Sequence, residues 1–219
     1  MIVEVLYALI LWSLVFILTI IFTSIISIGT KLSKESPWLG AVMQFGYIVF
    51  SLLVAHFLAG GLVIIGKFSF SLENLLEVSV ASYLLVLTFY FITLKALKGE
   101  EYVPPFAPRN VVELVLLTFI MAPIGEEILF RGLLEGYLLA KNVNFYVSVI
   151  LPAILFSLVH WVPFRAAPVK HRFLILFFAL IAGLVTGYYR AVTGSITIAI
   201  IAHAIFNMPG IGRVIKHTS

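Results

Sequence analysis

The stretch Val5 to Ile28 reads VLYALILWSLVFILTIIFTSIISI and holds no charged side chain. A helix rises about 1.5 Å per residue, so roughly 20 apolar residues carry it across a bilayer core. The run is too long for a removable leader and lacks a basic start, so a permanent anchor is expected. The rest of the chain has the same character: 62% of its 219 residues are hydrophobic and the mean hydropathy is +1.15. A water-soluble domain of this size does not tolerate such a surface. Backbone groups in lipid must be paired within their own segment, and no alternating barrel pattern is present. The expected fold class is therefore an all-α membrane protein.

Seven spans are expected, over Val5 to Ile28, Trp38 to Ile65, Val78 to Leu94, Val111 to Ala140, Phe145 to Trp161, Phe173 to Tyr189 and Ser195 to Ile211. Loop charge orients them. Lys31, Lys34, Lys95, Lys98, Arg109, Arg165, Lys170, Arg172, Arg213 and Lys216 fall on one side, against Lys67, Lys141 and Arg190 on the other. Ten against three places the C-terminus in the cytoplasm and the N-terminus outside. The charged, proline-rich stretch Glu100 to Asn110 reads as the linker between a three-span N-terminal region, 1–104, and a four-span catalytic core, 105–219. Gly125, Gly132 and Gly136 on span four, and Gly183 and Gly187 on span six, mark seams where helix backbones approach closely.

Composition also excludes. Cysteine is absent, which removes thiolate catalysis, disulfides and cysteine zinc sites. The net charge of +4 lies in short loops and follows topology, so nucleic acid is not an expected partner.

Three polar clusters interrupt the oily spans: Glu126-Glu127-Ile-Leu-Phe-Arg131, then Phe156-Ser-Leu-Val-His160, then His203-Ala-Ile-Phe-Asn207. Ionisable groups are costly in hydrocarbon, which makes them candidates for function. Positions four apart share a helix face, so Glu127, Arg131 and Glu135 are expected to form a ladder with the guanidinium between two carboxylates. Glu126 lies about 100° round from Glu127 and has no cation of its own helix within reach. It is the acid left over, the kind that serves as a general base. Pro123 frees a backbone carbonyl and kinks span four, a way to admit water. The alternative for this cluster is a buried ion-pair network that only fixes packing.

Spans four and five are antiparallel around Asn142 to Asn144, and Glu126 and His160 lie about equally far from that turn, so they are expected at similar depth. His203 and Asn207, four apart, share a face and can supply donors to an oxyanion. A lone intramembrane histidine is often a hydrogen-bonded core residue instead, and His56 is read that way. His171 and His217 are read as loop residues. No His-Glu-x-x-His helix is present, so no cofactor or metal is expected; zinc stays an open alternative.

In this order and spacing, Glu126-Glu127-x-x-x-Arg131, Phe156-x-x-x-His160 and His203-x-x-x-Asn207 resemble the signature of the type II CAAX prenyl endopeptidases, also called the ABI or CPBP family. The resemblance covers roughly 111–207. It implies an intramembrane glutamate-type endopeptidase, a CAAX prenyl protease-like hydrolase. In that reading Glu126 activates water, His160 positions it, and His203 with Asn207 stabilise the oxyanion. Glu127 and Arg131 support them. The implied partners are a peptide or prenylated-protein substrate and membrane lipid; oligomeric state is not implied. Larger relatives have eight spans, so a shorter front part bears on the substrate groove. Two other readings stay open. One is a proton-coupled transporter using the same acid and imidazoles as a relay. The other is a peptide-binding or bacteriocin-immunity protein that does not cleave.

Overall fold

The structure, a computed structural model, describes residues 1–209. Among them are seven long helices in the expected order: α1 (Ile2–Thr30), α2 (Pro37–Leu58), α3 (Leu72–Leu97), α4 (111–140), α5 (Phe145–Val159), α6 (Val169–Thr193) and α7 (Ile196–Phe206). Helices α1, α2, α3 and α6 are each long and apolar enough to cross a membrane. The chain is an all-α integral membrane protein. Ile211, where the seventh span was expected to end, lies outside the described residues, as do Arg213, Lys216 and His217.

Local chemistry explains the boundaries. Pro37 opens α2, where its missing N–H costs nothing, and Ser71, Asn110, Asn144 and Ser195 cap α3, α4, α5 and α7 with side-chain oxygens. Gly194 closes α6 in the left-handed conformation at φ 69°. The second span was expected to run to Ile65, but α2 ends at Leu58. Gly60 and Gly61 take φ of 96° and 107°, which reverses the chain into a 3-10 turn at Leu62–Ile65.

Two helices are shorter than expected. At 15 and 11 residues, α5 and α7 extend roughly 22 Å and 16 Å, well under a bilayer core. Past α5 come Trp161 and Pro163, and Pro cannot continue a helix. Both helices stop at candidate residues: His160 is the C-cap of α5 and Asn207 that of α7.

Helix α4 is the hub, touching α1, α2, α5, α6 and α7, and every residue from Glu127 to Leu138 is buried. The outer helices instead bury one stripe: in α1, Ala8, Leu11, Val15 and Thr19 face inward while Ile10, Ile17 and Ile21 are exposed to lipid. The glycines of α4 face the N-terminal region. A Cβ on Gly125 would lie 2.8 Å from the backbone oxygen of Gln44 on α2, and one on Gly136 would lie 3.0 Å from the carbonyl carbon of Ile64. Gly183 on α6 packs on Ala153 of α5. Small residues thus let α2, the 62–65 turn and α5–α6 close around one polar stripe.

Candidate active site

The polar stripe begins with a winding change. Helix α4 is α-helical over Ala122–Glu127 but π-wound at Leu114–Met121 and Ile128–Glu135. Such wide turns gather at functional positions. The N–H of Ala122 donates to Leu117, five residues back. The carbonyl of Thr118 would next look to residue 123, but that is proline and has no N–H. The freed oxygen accepts instead from Asn207 Nδ2 at 2.8 Å. Pro123 therefore does release a carbonyl, and its partner is a candidate catalytic residue.

Glu126 and Glu127 are brought to opposite sides of one imidazole. His203 Nδ1 lies 2.8 Å from Glu127 Oε1, and His203 Nε2 lies 3.7 Å from Glu126 Oε2. The first is a hydrogen bond; the second is too long for one. Glu127 is fully buried, whereas the Glu126 side chain keeps 17% exposure. Glu127 Oε2 also lies 3.3 Å from Arg131 Nε, an ion pair by distance though not aligned as a hydrogen bond. Arg131 donates from Nη2 to the Gly183 carbonyl at 2.9 Å. Glu127 is paired with Arg131 and hydrogen-bonded to His203, whereas Glu126 pairs with no Lys or Arg among the described residues. The upper rung of the expected ladder is not formed. Among the described residues Arg131 pairs with Glu127 alone, because the π turn carries Glu135 round to α6, where its Oε2 lies against Gly187.

His160 completes the group through Phe156. That ring is 4.8 Å from the His160 ring and 5.5 Å from the His203 ring, and Arg131 Cζ lies 4.6 Å over its face. The two imidazoles are therefore at most about 10 Å apart. His160 Nδ1 is 2.7 Å from the Phe156 carbonyl. A carbonyl only accepts, so Nδ1 carries a proton, and in the neutral ring Nε2 is then an acceptor. Among the described residues no group of three or more His or acidic side chains is arranged to hold a metal ion.

One member of the site was not found in the sequence. Gln44 of α2, 6% exposed, donates from Nε2 to Glu126 Oε1 at 2.8 Å. It lies 82 positions upstream in an apolar span, with no motif around it. Other readings change as well. His56 is exposed at the end of α2 against Phe57, not a core residue. His171 is no loop residue: it is buried in the first turn of α6, with Nε2 3.3 Å from the Glu100 carbonyl. Arg190, counted among the outer loop cations, is buried and donates to the Ile64 carbonyl at 2.8 Å. Of the ten loop cations on the other side, Arg172 donates to the carbonyls of Arg165 and Ala167 and lies over Trp161, and Lys170 donates to Ala96 at the end of α3.

Residues 108–209 match the family model described as Type II CAAX prenyl endopeptidase Rce1-like. The CAAX prenyl protease 2 of Arabidopsis thaliana is 37% identical over 70 residues, which is 32% of this chain. The match spans only 22% of that protein's length. No solved structure matches the chain. Every polar group of the site except Gln44 falls inside the matched segment. On the motifs, their convergence and this match, the segment 108–209 is similar to the Rce1-like type II CAAX prenyl endopeptidases.

Proposed function

We propose that the protein is an intramembrane endopeptidase that cleaves peptides near their C-terminus, prenylated CAAX-type peptides included, with water activated by Glu126. One observation carries this reading: a half-buried carboxylate oxygen, with no Lys or Arg paired to it among the described residues, faces an imidazole nitrogen 3.7 Å away. A water about 2.8 Å from each atom sits at the apex of a triangle and meets them at an angle of about 80°. That is a workable seat for a nucleophile.

The chemistry follows from the donors and acceptors. Glu126 takes a proton from the water as its oxygen adds to the scissile carbonyl carbon, and the Nε2 lone pair of His160 helps orient it. The carbonyl oxygen gains negative charge. His203, in its imidazolium form, keeps Nδ1–H on Glu127, and its Nε2–H, which holds the water beforehand, passes to that oxygen as the water adds. Asn207 spends one amide N–H on Thr118 and has a second to offer. The C–N bond then breaks, Glu126 returns its proton to the departing amine, and the products are a carboxylate and an amine. In this reading the water needs no metal. Helices α5 and α7 both end at the site, on the side of Arg165 and Arg172, which by the loop-charge rule is the cytoplasm.

The test is cleavage of a farnesylated reporter peptide by detergent-purified protein, with and without chelator, the product mapped by mass spectrometry. One new C-terminus, unaffected by chelator, is the expected result. No cleavage of prenylated or plain peptides, with solute or ion flux in proteoliposomes, overturns it in favour of transport. Loss of cleavage on chelation overturns the metal-free step.

A further inference from the structure

We propose that Gln44 is a positioning residue for Glu126: it holds one carboxylate oxygen so that the other faces His203 and the attacking water. The inference rests on the peptidase reading above. Its own support is geometric. A carboxylate accepts and never donates when ionised, so the Gln44 amide must turn Nε2, not Oε1, toward Glu126 Oε1 at 2.8 Å. Gln44 Oε1 is then buried without a hydrogen-bond partner among the described residues, and it lies directly against Gly125. A buried amide that leaves one polar atom unsatisfied is held by its remaining bond, here a charge-assisted one.

The terminal torsion of a glutamate is soft and nearly two-fold, so a carboxylate that keeps 17% exposure turns easily when nothing holds it. Pinning Oε1 removes that freedom and fixes where Oε2 points. Gly125 makes the contact possible, since a Cβ there would lie 3.0 Å from the Gln44 Cα and force α2 outward. Gln44 lies outside the matched segment 108–209, so the N-terminal region is part of the catalytic apparatus and not only an anchor.

Gln44→Met preserves length and flexibility and removes the donor. The expected result is a kcat lowered about 10-fold to 100-fold, the cost of a base displaced by an ångström, with KM and thermal midpoint close to wild type. Gln44→Leu carries the same test if the Met variant does not fold, because it removes the donor without adding a charge beside Glu126. A role in packing alone would lower the midpoint and leave kcat of the folded fraction intact. A thermal double-mutant cycle between Gln44→Met and Glu126→Leu reads the bond without reference to activity, and non-additive midpoint losses are expected. Either folded Gln44 variant with kcat within two-fold of wild type, or an additive cycle, overturns the inference. A wild type that cleaves nothing overturns the peptidase reading instead, and the cycle still decides whether the bond exists.

Discussion

Arg131→Met tests whether the charged stripe of α4 holds the bundle together. Arg131 is fully buried, pairs with Glu127, donates to Gly183 and lies over Phe156. Methionine fills most of the same channel without the charge. Glu127 is then left as a buried carboxylate with only His203 beside it. Breaking a buried pair by removing one partner costs about 3–5 kcal/mol. The Nε–Oε2 contact is imperfectly aligned, which places the loss near the lower end of that range. For a chain of this length each kcal/mol shifts the midpoint by about 2–4 °C, so a drop of about 10 °C in detergent is expected. Adding Glu127→Gln removes the stranded charge and keeps an acceptor for His203 Nδ1. The double variant should recover about half of the loss. A single variant within about 2 °C of wild type, or a double variant whose loss equals the sum of the singles, would refute the argument.

Gly136→Ala places a Cβ 3.0 Å from the Ile64 carbonyl carbon, a backbone atom that cannot rotate away, and should cost about 1–3 kcal/mol in thermal melts. Pro123→Ala restores an N–H that competes with Asn207 for the Thr118 carbonyl; kcat should fall about ten-fold with stability held or raised, and unchanged kcat would separate the kink from catalysis. His160→Ala should lose about 10²-fold or more in reporter cleavage, while His56→Ala, exposed and remote from the site, should cleave like wild type.

The fold class was legible because hydropathy reports directly on lipid. Glu126, Glu127, Arg131, His160, His203 and Asn207 were legible because each is a polar group in an apolar helix, and helical spacing pairs them. What escaped was long-range or depended on winding. Gln44 is one amide in α2, and only the glycine at 125 hints that another backbone comes close. Arg190 looks like a loop cation at the end of a span, yet the 62–65 turn folds under α4 and covers it. Glu135 is four residues from Arg131, but that spacing assumes an α-helix, and the π turn takes it to α6. The lengths of α5 and α7 were overestimated because an apolar sequence continues past the point where the helix stops. The Thr118–Asn207 contact required knowing both that Pro123 lacks an N–H and that the helix before it is π-wound.

The measurement that bears most directly on the central claim is kcat/KM for site-specific cleavage of the farnesylated reporter by wild type and by monodisperse, equally stable Glu126→Gln. The amide keeps the size of the acid and a hydrogen bond to Gln44, and it cannot accept the water's proton. Removal of a general base predicts a loss of about 10²-fold to 10⁴-fold. Turnover by Glu126→Gln within about ten-fold of wild type would contradict the assignment of Glu126 as the group that activates water.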